Sequence, residues 1–149
     1  MATIKKFEDL EIWQTARKLN EELFSVLMLL EEKRSFGLKE QLDRSAGSVM
    51  DNIAEGFERD GNREFIQFLS IAKASLGEVR SQLYRVLDRK IIDLPKFDEY
   101  NDKCLNLANQ IGKFMSYLNN SEIKGKKFLK PNRELVSYSN KPEIANSKY

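Results

Sequence analysis

The sequence predicts an all-α protein: an antiparallel up-and-down four-helix bundle followed by a basic C-terminal tail. Four long stretches repeat apolar residues at steps of three and four, which is the period of an amphipathic helix. No stretch has a convincing β-strand pattern, and the connections between the four stretches are short. Short connections favour antiparallel neighbours, and this gives the bundle its predicted topology.

The first predicted helix covers residues 7–30 and is unusually apolar. With Ile12 and Phe24 included, its apolar sector spans about 160° of a helical wheel. A helix that covers a single core needs only about 100°. We therefore expect this helix to contact something besides its own bundle, with Leu10, Trp13 and Phe24 as core or oligomer anchors. Trp13 could instead stack on a nucleobase, but an anchoring role is the commoner one for a tryptophan among apolar neighbours.

The second predicted helix, residues 38–59, carries the most informative pattern in the chain. Arg44, Ser48, Asp51, Asn52 and Glu55 recur at three- and four-residue steps and share a stripe roughly 100° wide. Such a stripe predicts closely packed helices joined by an internal polar network that contains Arg44, Ser48, Asn52 and Glu55. Paired carboxylates could also bind a metal or act as acid and base, but carboxylates on a bundle are more often partners of nearby arginines.

The third predicted helix, residues 63–89, follows a turn. Gly61 can adopt the left-handed backbone that ends a helix, and Asn62 is a plausible N-cap. Gly77 lies in the middle of this helix, where glycine costs up to about 1 kcal/mol relative to alanine unless a neighbour packs there.

The fourth predicted helix, residues 96–119, opens after Pro95, which suits a first helical position. Its spacing predicts an inner face made of Leu105, Ala108, Ile111, Met115 and Leu118.

Charge divides the chain into two parts. Residues 1–120 form the predicted bundle and hold 18 basic and 20 acidic residues, whereas residues 121–149 hold seven basic and three acidic ones. We expect this basic tail to be mobile or only locally ordered, and able to reach phosphates. The candidate nucleic-acid contacts are Arg17, Lys18, Lys73, Arg80, Lys124, Lys126, Lys127 and Lys130.

Composition argues against an enzyme. The chain has no histidine, which most zinc sites, di-iron bundles and histidine-based mechanisms require. Its single cysteine, Cys104, fits a small buried side chain and a reducing compartment. We therefore predict no catalytic residue, no metal and no cofactor. The lack of an apolar run of about 18 residues and of a signal-peptide core predicts a cytoplasmic protein without membrane contact.

Three sequence blocks together resemble the bacterial four helix bundle protein family, typified by proteins encoded in intervening sequences of 23S ribosomal RNA genes. The blocks are Phe-Glu-Asp-Leu-Glu-Ile-Trp-Gln-Thr-Ala at 7–16, the segments Arg-Ser-Ala-Gly-Ser-Val and Asn-Ile-Ala-Glu-Gly within 44–56, and residues 65–78. The resemblance implies a homo-oligomeric ring, with pentamers as the expected form, and no enzymatic activity. It extends to the accessory variability proteins of diversity-generating retroelements, which are basic pentamers that bind nucleic acid and a reverse transcriptase.

Residues and resemblance together predict a non-enzymatic homo-oligomeric scaffold that acts with RNA or a ribonucleoprotein. The slightly acidic bundle departs from the strong basic excess that phosphate binding requires, so RNA contact is expected in the tail. The alternative is a protein-interaction adaptor for a neighbouring nucleic-acid enzyme, such as a retroelement reverse transcriptase.

Overall fold

The computed structural model describes residues 3–123, which form one short 3-10 turn and four α-helices. The turn is Phe7–Asp9, and the helices are α1 (Glu11–Glu32), α2 (Phe36–Glu58), α3 (Asn62–Asp88) and α4 (Leu94–Ile123). No strand occurs in this part of the chain. The predicted all-α class and four-helix bundle are therefore confirmed. Residues 124–149, and with them Lys124, Lys126, Lys127 and Lys130, lie outside the described residues.

Neighbouring helices run antiparallel: as the residue number increases along one helix, the residues that it contacts on the next helix decrease in number. α1 packs on α2 and α4, α3 packs on the same two helices, and α1 and α3 lie diagonally opposite each other. The pairs that fix this register are Asn20 with Ala46, Gln41 with Arg85, Ser48 with Ser75, Arg80 with Asn101, Tyr84 with Phe97, Glu22 with Lys103 and Ser25 with Tyr100.

The core runs along the bundle axis and is built from apolar side chains at helical spacing. Leu23, Ile53 and Phe65 are among the largest fully buried residues, each contributed by a different helix. Burying an aliphatic or aromatic side chain of this size stabilises the fold by about 1.5–3 kcal/mol. Amphipathic periodicity therefore determines how α1, α2 and α3 face the core.

The predicted inner face of α4 is wrong at one position. Leu105 is 38% exposed, whereas Ile111 and Leu118 are buried as expected. The residues of α4 that do fill the core are Phe97, Tyr100, Cys104, Leu107, Ile111 and Leu118. This helix carries two overlapping apolar stripes, one that begins at Phe97 and Tyr100 and one that begins at Leu105. The stripe with the two aromatic side chains faces α1 and α3. The Tyr100 hydroxyl is satisfied there by donating to the Glu22 carbonyl oxygen at 3.1 Å.

The helix starts differ from the predicted ones. α1 begins at Glu11 rather than at residue 7, because the 3-10 turn and an extended Leu10 precede it. Gly61 has the expected positive φ, +101°, but it does not end a helix: α2 ends at Glu58 with Arg59 as its C-cap, and Gly61 is the N-cap of α3. Asn62 is therefore the first residue of α3 rather than its N-cap, and its buried side-chain amide donates to the Leu118 carbonyl oxygen at 3.4 Å. Asp93, which sequence reasoning missed, caps α4 by accepting a bond from the Lys96 N–H at 3.0 Å.

Two helices end in left-handed residues that are not glycine. Arg34 follows α1 with φ +58°, and Lys90 follows α3 with φ +60°. In each case the next N–H donates back into the last turn, from Ser35 to the Leu30 carbonyl at 2.8 Å and from Ile91 to the Val86 carbonyl at 3.2 Å. These bonds satisfy carbonyl groups that a helix end leaves free.

Candidate interaction surfaces

A polar network lies between α2 and α3, where small side chains let the two helices approach. The Ser48 and Ser75 hydroxyl oxygens are 2.9 Å apart, and Ser75 is buried. The Asn52 amide donates to the Ser48 hydroxyl at 2.9 Å and to its carbonyl oxygen at 2.8 Å. Two turns away from Ser75, the Gln82 amide donates to the Ser45 hydroxyl at 2.9 Å. The Ser48–Ser75 and Gln82–Ser45 contacts join α2 to α3, the two Asn52 bonds stay within α2, and the buried side-chain oxygen of Gln82 accepts no hydrogen bond from the described residues.

Arg44 and Glu55 do not belong to this network, so this part of the prediction requires correction. Arg44 pairs with Glu40 at 2.7 Å, and Glu55 lies 3.8 Å from Arg59, both along the exposed side of α2. The polar stripe predicted on α2 is roughly 100° wide, and only the edge that carries Ser48 contacts another helix, α3. Its remaining members face water, where pairs of this kind contribute little to stability.

The three predicted anchors of the first helix have three different environments. Leu10 is buried in the core. Trp13 is half-buried, with its ring 5.1 Å from that of Phe7 in an edge-to-face arrangement and with the Arg17 guanidinium 5.8 Å from its ring centroid. Phe24 is 57% exposed, and Met28, one turn further along α1, is 40% exposed. The surplus apolar surface predicted for this helix is therefore confined to Phe24 and Met28 on one flank, together with Leu29 on the other.

The predicted bundle cations are split between two helices that do not touch. Arg17 and Lys18 are exposed on α1, whereas Lys73 and Arg80 lie on α3 beside α4. Arg80 is half-buried and donates to the Asn101 side-chain oxygen at 2.8 Å. The four cations therefore do not form one basic surface for a nucleic-acid backbone.

The described side chains form no cluster suited to metal binding, and the single cysteine is unsuited to act as a nucleophile. Within residues 3–121, no three cysteine, aspartate or glutamate side chains lie close enough to hold a metal ion. The Cys104 thiol is fully buried, and burial raises its pKa to about 12, against a smaller opposing effect of Arg80. A thiol with such a pKa carries almost no reactive thiolate near neutral pH.

An open groove of about 340 Å³ lies where the start of α1 meets the second half of α4. The buried side-chain oxygen of Gln110 makes no hydrogen bond there. The lining residues are Glu11, Ile12, Gln110, Lys113, Phe114 and Tyr117. They combine one aliphatic and two aromatic side chains with one amide, one acid and one base.

Comparison with known families shows the family to which this chain belongs. The family model described as 23S rRNA-intervening sequence protein matches residues 8–113, from the 3-10 turn through most of α4. The chain belongs to the 23S rRNA-intervening sequence protein family. The resemblance predicted from the three sequence blocks is thereby confirmed, whereas the relation to accessory variability proteins stays a prediction.

A solved structure shares the fold of this intervening-sequence protein. It comes from Bacteroides thetaiotaomicron and is described as a protein with unknown function from the S23 ribosomal protein family. The two structures superpose with a TM-score of 0.66 over 70% of this chain and 97% of the other. They are 18% identical, so the likeness shows the fold alone. No curated protein matches the chain.

In this family member, no helix within residues 3–123 combines the length and the hydrophobicity needed to cross a membrane.

Sequence reasoning missed three members of the α2–α3 network of this intervening-sequence protein: Ser45 on α2, and Ser75 and Gln82 on α3. Ser75 and Gln82 are polar residues on the flank of α3 that faces α2. The available signal was their seven-residue separation, which places both on one side of the helix. Their partners on α2 could be named only once the register of the two helices was known.

Proposed function

We propose that this protein is a non-enzymatic homo-oligomeric scaffold associated with RNA or with a ribonucleoprotein. The family resemblance implies a pentameric ring, and we adopt that form for the assembly. A cytoplasmic location belongs to the same proposal. The observation that carries the assembly is the exposed apolar edge of α1, formed by Phe24 and Met28.

This edge supports self-association because it places two large apolar side chains in water on a helix whose opposite side is already buried. Phe24 and Met28 are four residues apart, so they stand one above the other on the same flank of α1. Single exposed apolar residues are common on soluble proteins, but adjacent ones favour a contact that removes them from water.

The RNA part of the proposal is supported by the family and by the charge division of the chain. The family description refers to a 23S rRNA intervening sequence, and the solved neighbour is described as belonging to a ribosomal protein family. Neutralisation of phosphates supplies most of the affinity for nucleic acid. Since residues 1–120 are slightly acidic, we assign RNA contact to the basic residues 121–149, with Lys124, Lys126, Lys127 and Lys130 as the candidates. Residues 1–120 form the scaffold.

Light scattering coupled to size exclusion tests the assembly. The full-length chain at micromolar concentration is expected to elute with five times the subunit mass. A monomer under these conditions contradicts the oligomeric scaffold, and another fixed multiple contradicts the pentamer alone.

Binding to a structured RNA, measured across a salt titration, tests the proposed association with RNA. Replacing Lys124, Lys126, Lys127 and Lys130 by Gln in the full-length chain is expected to weaken binding and to lower the salt slope by about 0.7–0.9 for each phosphate that is no longer neutralised. A matched control replaces four exposed lysines of the scaffold, Lys5, Lys6, Lys33 and Lys90, and is expected to bind as the wild type does. Absence of binding by the wild type at low salt contradicts the RNA association.

The second candidate function is a protein-interaction adaptor, favoured by the slightly acidic scaffold, which suits a protein surface better than a phosphate backbone. Its partner would be a neighbouring nucleic-acid enzyme such as a reverse transcriptase. Co-purification of the full-length chain with the product of an adjacent gene, together with no RNA binding at low salt, would favour this adaptor over the RNA scaffold.

A further inference from the structure

The outer side of the α1–α2 pair presents unpartnered apolar surface. We call this side the α1–α2 face and define it by Glu21, Phe24, Met28, Asp43 and Gly47. The Asn20 amide donates to the Ala46 carbonyl at 2.8 Å, and this contact joins α1 and α2 in the middle of the face. Phe24 follows Asn20 by one turn, and Gly47 directly follows Ala46. Apart from its own helix backbone, a Cβ placed on Gly47 would meet no atom of residues 3–121 within 4 Å, so this position is open to an approaching surface.

The outer side of the α3–α4 pair has a matching open strip. We call this side the α3–α4 face and define it by Lys73, Gly77, Tyr84 and Leu105. Lys73, Gly77, Arg80 and Tyr84 follow one another at steps of four, three and four, so they share one flank of α3. Arg80 contacts Asn101, and the Tyr84 ring lies 4.5 Å from that of Phe97, so this flank faces α4.

Gly77 lies within this strip and is exposed in the middle of a helix. A Cβ placed there would meet no atom of the other described residues within 4 Å, apart from the backbone of α3 itself. Glycine weakens a helix interior, and no close approach by another described part of the chain explains its presence here. Leu105, one turn after Asn101 on α4, adds an exposed apolar side chain to the same strip.

The two faces lie on opposite sides of the bundle. α1 touches α2 and α4, α3 touches the same two helices, and α1 does not touch α3. The α1–α2 pair and the α3–α4 pair are therefore opposite sides of a four-cornered bundle. Two different faces on opposite sides of one subunit suit a head-to-tail contact, which forms a ring when the rotation between subunits closes.

Shape and charge complement each other between the two faces. The α1–α2 face projects Phe24 and Met28, while the α3–α4 face has an open position at Gly77. Glu21 lies one turn from Phe24 and Lys73 lies one turn from Gly77, so opposite charges flank the proposed contact, with Asp43 one turn from Gly47. Farther from this contact the first face also carries Arg17, and the second carries Asp98 and Asp102. Within residues 3–121 Glu21, Asp43 and Lys73 form no ion pair, so all three remain available to a second copy.

We propose that the α1–α2 face of one subunit packs against the α3–α4 face of the next copy of this chain. Phe24 covers Gly77, and Lys73 lies against Glu21 or Asp43. This inference rests on the homo-oligomer of the proposed function and names its interface. It assigns Lys73 to contact between subunits rather than to RNA.

Two variants, each with one damaged face, test the arrangement. Phe24→Glu places a charge on the first face, and Gly77→Glu places a charge and bulk on the second. Each is expected to be monomeric by light scattering at a concentration where the wild type assembles. An equal mixture is expected to give a 1:1 heterodimer in native mass spectrometry, because each variant keeps the face that is damaged in the other.

Matched controls use the same substitutions away from both faces. Ile71 is 48% exposed on the flank of α3 that carries Ser75 and faces α2, and Gly37 in the first turn of α2 is also open, so Ile71→Glu and Gly37→Glu are expected to assemble like the wild type. Circular dichroism confirms that each variant is folded. If Phe24→Glu or Gly77→Glu does not fold, Met28→Glu and Leu105→Glu are used in place of these two variants.

The outcomes separate the interface from the assembly itself. A monomeric wild type contradicts the proposed oligomer and the interface with it. A wild-type oligomer that survives both Phe24→Glu and Gly77→Glu overturns the interface while the oligomer stands. If only one of the two variants is monomeric, the contact joins two copies of the face damaged in that variant, and the head-to-tail arrangement is overturned. Two monomeric variants that do not pair when mixed overturn it as well.

Discussion

The side-chain oxygens of Ser48 on α2 and Ser75 on α3 lie 2.9 Å apart inside the bundle. Ser75 is buried, so its hydroxyl depends on this contact for a side-chain partner in place of water. Asn52 donates to the same Ser48 hydroxyl, and this makes Ser48 the centre of the polar contact between the two helices. Serine at both positions also allows α2 and α3 to pack closely.

Replacing Ser48 by Ala is expected to lower the free energy of unfolding by about 1 kcal/mol or more, because a buried hydroxyl then lacks its partner. Urea denaturation at a fixed protein concentration measures the loss. The control is Glu55→Ala, where the exposed pair with Arg59 should contribute less than about 0.5 kcal/mol. Equal losses for the two variants would contradict the placement of Glu55 outside the network.

Replacing Gly56 by Ala is expected to destabilise the bundle although alanine favours helices. The new Cβ would lie 2.8 Å from the Phe68 Cβ and 2.9 Å from the Phe65 Cδ1, so α2 and α3 would have to separate. Overpacking of this kind costs about 1–3 kcal/mol. Thermal denaturation measures the effect, with Gly37→Ala as the control at a glycine that has no neighbour within 4 Å. A raised melting temperature for Gly56→Ala would disprove the close contact.

Replacing Lys90 by Gly is expected to stabilise the protein. A residue with a side chain is strained at φ +60°, and glycine should relieve this by up to about 1 kcal/mol. Urea denaturation checks the gain, and Lys90→Gln is the matched control, because it removes the charge and keeps the strain. A gain of the same size in both variants would show that charge, rather than backbone conformation, is responsible.

The buried Cys104 thiol should make stability fall at high pH. Its pKa is raised from 9.0 to about 12 in the folded protein, so the folded state holds a proton that the unfolded state releases between these values. The contribution of the protonated thiol to the free energy of unfolding is therefore complete below pH 9 and is lost as the pH rises towards 12. The unfolding free energy of the wild type relative to Cys104→Ala should decrease over this range, since other titrating groups cancel in the difference. A constant difference would contradict the raised pKa.

Alkylation gives an independent test of the same environment. At pH 8.5 iodoacetamide should modify Cys104 slowly in the folded protein and rapidly in denaturant, because the buried thiol is both protonated and inaccessible. Fast modification of the folded protein would place the thiol at the surface.

Most of the fold could be predicted from the sequence. Apolar steps of three and four along a single helix identify α1, α2 and α3 and the side of each that is buried. The same blocks of residues also identified the family. Patterns of this kind are local, since helical geometry alone converts spacing along the chain into an angle around the helix axis.

The candidate surfaces could be predicted only in part. The sequence placed Ser48, Asn52, Arg44 and Glu55 on one stripe of α2. Only packing against α3 showed that Ser48 and Asn52 are internal and that Arg44 and Glu55 are exposed. On α4 two apolar stripes were available, and packing against α1 and α3 selected the one that leaves Leu105 outside.

The sequence by itself therefore determined the helices, their order and the kind of residue on each side. The tertiary structure decided which part of each polar or apolar stripe is covered, and it separated the buried Leu10 from the exposed Phe24. The physical reason is that periodicity gives the direction of a side chain around its own helix. Burial depends on the register and position of the helix opposite, which contacts between residues far apart in the chain determine.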